Sequence, residues 1–126
     1  EITHDKDEYG KDLVFSDYDS KLGESNWYAV VVKNKNAEMN DFESQGEITR
    51  QIQLSFEYPY SKCNGEDIYI NKVIVVVNGT ISPQAKNIIQ KVLPSHQRNN
   101  VYLWNYQKLE EEINNNIKDL LNQNRS

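Results

Sequence analysis

The sequence predicts an α/β fold in which a mixed central sheet is flanked by helices on both faces. Three observations support this prediction. Two strand-like runs lie close together at residues 12–15 and 27–33, a wholly apolar run follows at 73–77, and segments with one apolar helical face separate the later strands. A strand that is apolar on both faces is typical of the buried centre of a sheet that helices cover.

The first two runs predict an antiparallel hairpin. Both are rich in β-branched and aromatic residues, which favour strands, and the link at 16–26 holds Gly23 with several Ser and Asp residues. Asp12 then opens one strand and Lys33 ends its neighbour. A carboxylate and a lysine at adjacent strand ends can hold a divalent cation and steady a phosphate beside it. The alternative is that both are ordinary solvated strand ends.

A helix is predicted within 37–58, between the lysine-bearing strand and the apolar strand. Its buried face is marked by Ile48, Ile52 and Phe56, which recur every four residues. Gln51 and Gln53 are polar residues of this helix that can point at a site on the sheet edge. A solvated helix face is the alternative interpretation for both glutamines.

The second half of the chain predicts strand, helix, strand and helix. The apolar strand ends at a turn, and Ser82 with Pro83 then starts a helix, because Ser caps helices and Pro fits the first helical position. Pro94 ends that helix. A short strand follows at 101–104, and the last helix spans 106–121. The apolar faces of the two helices consist of Ala85, Ile88, Ile89 and Val92, and of Leu109, Ile113, Ile117, Leu120 and Leu121.

Length and charge limit the function classes. The 126 residues predict one domain spanning 1–126, and the net charge of −5 argues against a protein whose whole surface binds nucleic acid. A local strip of Lys33, Lys35 and Arg50 can still bind phosphates, and ordinary surface charge is the alternative. There is no run long enough to span a bilayer, and the single Cys63 excludes an internal disulfide. We therefore expect a cytoplasmic protein without membrane contact.

The order of these pieces resembles the restriction-endonuclease-like fold, in particular the Mrr-like restriction endonuclease domains of the PD-(D/E)xK nuclease superfamily. The resembling segments, at 11–15, 28–33, 72–79, 82–85 and 100–104 with Leu109, span roughly residues 8 to 114. Each motif is short, and their order and spacing are more specific than any one of them. The chain begins at Glu1 rather than Met, so we expect a domain cut from a larger protein, with the first helix of the fold missing.

The resemblance implies a site and a cofactor. Asp12 and the backbone carbonyl of Val32 would bind Mg²⁺, with Mn²⁺ as a substitute. Lys33 and Gln51 would be catalytic, and Lys35 and Arg50 would contact DNA. The implied function is metal-dependent hydrolysis of DNA phosphodiester bonds in restriction or antiphage defence, by a homodimer or as part of a multidomain assembly.

One position departs from the family pattern. Family members carry an acid, or a Gln in the Mrr-like branch, two residues before the lysine, and here that residue is Val31, whose side chain cannot ligate a metal. Candidates for a displaced ligand are Glu8, Asp17, Glu47 and Gln51. The sequence therefore leaves enzymatic activity open. The alternative function is a catalytically degenerate nuclease fold that binds nucleic acid or a partner protein without cutting.

Overall fold

The computed structural model describes residues 2–3 and 12–124, and the side chains of 12–115. Several short elements were not predicted from the sequence: the strands at Ile2–Thr3, Tyr60–Ser61 and Asp67–Ile68, a 3-10 turn at Met39–Phe42 and the helix at Ser95–Arg98. In chain order the elements are β1 (Ile2–Thr3), β2 (Leu13–Asp19), β3 (Glu24–Lys33), the 3-10 turn, α1 (Glu47–Glu57), β4 (Tyr60–Ser61), β5 (Asp67–Ile68), β6 (Lys72–Val77), α2 (Pro83–Val92), α3 (Ser95–Arg98), β7 (Val101–Asn105) and α4 (Tyr106–Asn124).

The main sheet is mixed and has five strands in the order β1-β2-β3-β6-β7. Strand β2 runs antiparallel to β1 and β3, whereas β6 is parallel to both β3 and β7. The parallel connections pass through α1 and α2, as parallel neighbours require a crossover. The predicted α/β class, with a mixed sheet flanked by helices, is confirmed.

The hairpin of β2 and β3 is longer than the sequence predicted. The two strands pair from Leu13 opposite Val30 to Asp19 opposite Glu24, so the expected link at 16–26 is wrong in extent and the turn is confined to 20–23. Asp19 makes the turn tight, because its carboxylate accepts the N–H of Lys21 at 2.9 Å. Gly23 closes the turn with a φ of 68°, a conformation that glycine adopts without steric cost.

The apolar run forms β6, which pairs on both sides, and each of its five residues from 73 to 77 is at most 5 % exposed. Alternate side chains enter two separate cores. One core joins Val73, Val75 and Val77 to residues of α1 and α2, and the other joins Ile74 and Val76 to residues that include Leu109 of α4. Helices therefore cover both faces of the sheet, as the double-sided apolar pattern predicted.

The helix boundaries follow local sequence. Helix α1 begins directly after Gly46, where a Cβ atom would collide with the backbone carbonyl of Asp41. Helix α2 begins at Pro83 as predicted and ends at Val92, just ahead of Pro94. Across the part of the chain that the structure describes, no helix has both the length and the apolar composition needed to cross a membrane.

Candidate functional site

Three strands end together at one edge of the sheet. Parallel strands β3, β6 and β7 finish at Lys33, Val77 and Asn105, which are adjacent in register. We call this the site edge. In open α/β sheets, ligands bind outside the carboxyl ends of the strands, so this edge is the place to look for a site.

Asp12 lies at the site edge, immediately before β2. Its N–H donates to the carbonyl of Val30 at 2.9 Å, and its carboxylate accepts the N–H of Val32 at 2.8 Å. The N–H and C=O of one strand residue point toward the same neighbouring strand. The Val32 carbonyl is therefore directed to the side of β3 on which the Asp12 carboxylate lies. These are the two oxygen groups that the resemblance assigns to a metal, and both lie beside the carboxyl end of β3.

Lys33 makes an ion pair that the sequence did not predict. Its Nζ lies 2.7 Å from Oε1 of Glu47, the first residue of α1, and the lysine side chain is only 11 % exposed. A carboxylate is favourable in the first turn of a helix because the helix dipole is positive there. The hydrogen bond from Lys33 lowers the pKa of Glu47. Glu47, which the sequence offered as a displaced metal ligand, thus contacts Lys33, the lysine to which the resemblance assigns a catalytic role.

Lys35 extends the ion-pair network. Its Nζ donates to Asp41 at 2.8 Å and lies 3.5 Å from Glu47. Burial of Asp41 works toward a neutral acid, but hydrogen bonds from Lys35 and from the N–H of Glu38 outweigh it and hold the pKa of Asp41 below its usual value. The hydrogen bond to Asp41 raises the pKa of Lys35 in turn. No signal in the sequence points to Asp41, since an acid in a loop is indistinguishable from any surface carboxylate.

The predicted phosphate-binding strip is therefore built around Glu47. Lys33 and Lys35 both contact its carboxylate, and Arg50 is exposed on α1 three residues later, about one helical turn away. Lys33 and Lys35 share Glu47 as a partner, and both are already engaged with acids. A phosphate must compete with Glu47 and Asp41 for these lysines.

Val31 occupies the position at which the family pattern expects an acid. It is 0 % exposed and belongs to the core between the sheet, α1 and α2. Its opposite residue on β6 is Val75, which is also fully buried. The local packing therefore accounts for an apolar side chain here.

The four candidates for a displaced metal ligand differ in their position relative to Asp12 and Lys33. Asp17 is exposed on β2 five residues beyond Asp12, which corresponds to about 17 Å along a strand, too far to share a cation. Glu8 lies outside the described residues. Glu47 and Gln51 remain, one helical turn apart on the same face of α1.

Gln51 is the catalytic candidate that the sequence left open between a site and a solvated face. The side-chain oxygen Oε1 is buried and has no hydrogen-bond partner. A buried amide oxygen without a donor costs free energy, so a donor brought by a bound molecule would be favourable at this position. The interpretation as a freely solvated side chain does not fit a buried Oε1.

Polar loops that follow β3 and β6 complete the site edge, and the sequence analysis did not single them out. Asn78 donates to Asn34 at 2.6 Å, and Asn36 accepts the N–H of Thr80 at 3.0 Å. A Cβ atom at Gly79 would collide with the Asn36 side-chain oxygen, so a larger residue there would displace the side chain that accepts the N–H of Thr80. The Asn-Gly pair after the apolar strand was the one available signal, and it was interpreted only as a turn.

Within the described residues, no three His, Cys, Asp or Glu side chains converge as metal ligands. Asp12 and the Val32 carbonyl are the two oxygen groups that the resemblance assigns to a cation, and Lys33 follows Val32 directly in sequence. Comparison with models of protein families, with curated proteins and with solved structures found no match to this chain.

Proposed function

We propose that this domain is a divalent-metal-dependent nuclease-like domain that hydrolyses DNA phosphodiester bonds. The observation that supports it best is the hydrogen bond of 2.8 Å between the Asp12 carboxylate and the N–H of Val32, the residue directly before Lys33. A carboxylate, a backbone carbonyl and a lysine at the carboxyl ends of parallel strands form the arrangement expected of a restriction-endonuclease-like fold.

The residues present fit a hard cation in part. Asp12 and the Val32 carbonyl are oxygen donors directed along the same side of β3, and oxygen donors are what Mg²⁺ and Mn²⁺ prefer. Such a cation, when bound, polarises a phosphate oxygen and lowers the pKa of a bound water. Glu47 can supply a further carboxylate from α1 in place of the acid that Val31 lacks.

Lys33 has two roles in this proposal. Its ammonium neutralises the charge that develops on the attacked phosphate, and its ion pair with Glu47 holds it at the site edge before substrate binds. Glu47 is 54 % exposed, so solvent partly screens its attraction to Lys33, and a substrate phosphate can displace the carboxylate. Gln51, whose oxygen lacks a donor, then positions a water or substrate group.

Cleavage of supercoiled plasmid DNA tests the proposal. We expect cleavage with Mg²⁺ or Mn²⁺ and none with EDTA. Asp12→Asn should abolish it, and Lys33→Ala should lower the rate by about 10²–10³. Lys21→Ala is the matched control, because Lys21 is an exposed lysine in the β2–β3 turn, remote from the site edge. Metal-dependent cleavage that survives Asp12→Asn would show that the catalytic residues lie elsewhere.

The second candidate function is a degenerate nuclease fold that binds nucleic acid or a protein without cutting. Two observations favour it: Val31 is fully buried where an acid is expected, and Lys33 is already paired with Glu47. This function predicts DNA binding that is unchanged by EDTA and weakened by Lys35→Ala and Arg50→Ala. Binding without cleavage under both metals would favour it over the enzyme.

A further inference from the structure

Strand β7 forms one border of the sheet. Within the described residues it pairs only with β6. The N–H of Val73 donates to the carbonyl of Asn100 at 2.9 Å. This bond shows which residues of β7 direct their backbone groups toward β6. By alternation, the N–H and C=O groups of Val101 and Leu103 and the N–H of Asn105 point away from β6. Asn105 also caps α4, since its side chain accepts the N–H of Lys108 at 2.8 Å.

Among the residues that the structure describes, no further strand pairs with this border, and β7 itself carries none of the usual protection of an edge strand. Natural edge strands are blunted by charged side chains, proline, bulges or a covering element, because open N–H and C=O groups are a template for another strand. The five residues of β7, VYLWN, include neither a charge nor a proline. The open backbone groups therefore suit pairing with an added strand.

A groove runs along the same border. All five residues of β7 form one wall, and Ile81 with Pro83, Lys86, Ile89 and other residues of α2 forms the other. The groove holds about 790 Å³, within the size range of ligand sites in proteins. A groove between an edge strand and a helix is the geometry in which an extended peptide adds a strand, because its alternate side chains enter the groove while its backbone pairs with the edge.

The charge of the groove indicates the chemistry of the partner. Lys86 and Lys108 line it, and none of the described lining residues is acidic. Lys108 contacts Glu112 at 2.7 Å on its outer side, one turn further along α4. Both lysines lie near the carboxyl end of β7, since α2 starts beside that edge and α4 follows β7 directly.

The same charges disfavour a second copy of this chain as the occupant. Antiparallel pairing of two β7 strands would bring the lysine end of one copy against the opposite end of the other. That opposite end holds Arg98 and Lys72, whose Nζ lies 5.8 Å from the Tyr102 ring centroid. Cations would face cations, which is unfavourable across an interface.

We propose that the β7 border and the α2 groove bind an extended peptide segment as an added strand. The peptide carries apolar side chains at alternate positions, which enter the groove, and acidic residues at the end that meets Lys86 and Lys108. Backbone hydrogen bonds to Val101, Leu103 and Asn105 supply register, and the two lysines supply the preference for acid. This interaction does not depend on nuclease activity.

Hydrogen exchange measured by NMR tests the pairing directly. The probe is a short synthetic peptide that alternates valine and threonine and ends in two aspartates. We expect it to slow exchange at the amides of Val101, Leu103 and Asn105, which exchange quickly in the free protein. The same peptide with every backbone nitrogen methylated should not bind, because it has no N–H groups for the ladder.

Titration of the labelled peptide tests the charge preference. Combined Lys86→Ala and Lys108→Ala should weaken binding by about fivefold, as expected for two exposed ion pairs. Lys91→Ala, on the same helix but outside the groove lining, should stay within about twofold of wild type. Circular dichroism of the variants confirms that all are folded.

Three results would overturn the proposal. The first is equal binding of the fully methylated peptide. The second is slow exchange of the Val101, Leu103 and Asn105 amides in the peptide-free protein, together with a concentration-dependent dimer on a sizing column. That result would show that the β7 border pairs with a second copy of the chain. The third is a single-stranded DNA oligonucleotide that protects the same amides and displaces the peptide.

Discussion

Replacing Val31 with glutamate is the perturbation that best separates packing from function at the candidate site. The family pattern would place an acid there. From the sequence alone, an acid introduced at position 31 is therefore expected to raise the rate of DNA cleavage. In the folded protein, however, Val31 is 0 % exposed between fully buried neighbours that include Ala29 and Val75. A carboxylate at this position loses its hydration, and a buried acid is kept neutral when no partner reaches it.

The cost of this change can be worked from the pKa. A glutamate of ordinary pKa about 4.3 must be held protonated at pH 7, which costs about 3.7 kcal/mol at 1.36 kcal/mol per unit. A neutral carboxyl without hydrogen-bond partners adds about 1–3 kcal/mol. The expected loss is about 5–7 kcal/mol, a large part of the roughly 5–15 kcal/mol that stabilises a typical domain.

Urea unfolding at pH 7 and pH 5, followed by circular dichroism, measures the effect. The folded-state pKa of the new acid is raised, so the folded protein binds more protons than the unfolded chain, and stability falls as pH rises above about 4.3. The loss relative to wild type should therefore shrink by about 2–3 kcal/mol at pH 5. Val32→Glu is the matched control, because Val32 is 44 % exposed and should change stability by less than about 0.5 kcal/mol.

A small loss would refute this reasoning. If Val31→Glu costs less than about 1 kcal/mol at pH 7 and follows the pH dependence of wild type, its carboxylate reaches solvent at the site edge beside Asp12. Position 31 would then accept the acid that the family pattern expects, and plasmid cleavage by this variant should exceed that of wild type.

Three further predictions concern the surroundings of the site. Asp41→Asn should destabilise the protein by about 1–2 kcal/mol at pH 7, since it weakens the charged hydrogen bond from Lys35. Because the pKa of Asp41 is lowered on folding, wild type loses this advantage as its carboxylate is protonated. In urea titrations the difference between variant and wild type should therefore vanish as pH falls below about 4. Gly46→Ala should cost about 1–3 kcal/mol in thermal unfolding, because its Cβ meets the Asp41 carbonyl, and an unchanged melting temperature would contradict that packing. Gln51→Leu should leave the free energy of unfolding equal or higher, since it removes a buried oxygen without a hydrogen-bond partner, and it should lower the rate of DNA cleavage. A cleavage rate equal to that of wild type would exclude a catalytic role for Gln51.

Local patterns in the sequence determined most of the architecture. The apolar run became β6, whose alternate side chains serve two cores, since a strand with no polar face is stable only when covered on both sides. The Ser82-Pro83 pair placed the start of α2, because the fixed φ of Pro83 suits the first helical position; Ser82 is the N-cap residue, but its hydroxyl contacts Gln84 and makes no capping bond. The spacing of Ile48 and Ile52 identified the buried face of α1 for the same reason: helical periodicity is a local property.

The hairpin length and the partner of Lys33 were decided by contacts that composition and periodicity do not encode. The length of the β2–β3 hairpin depended on Asp19 and Gly23 acting together in the turn, whereas composition alone favoured a longer loop. The partner of Lys33 depended on how α1 docks against β3, which brings Glu47 within 2.7 Å across fourteen residues of chain.

The same holds for the polarity of the candidate site. Sequence spacing placed Asp12 and Lys33 at neighbouring strand ends, because register follows from the hairpin. It could not say that Val31 would face a closed apolar core, since the burial of one side chain is set by every element packed around it. The strand ends were thus determined by the sequence, and the choice of acids around the lysine by the tertiary structure.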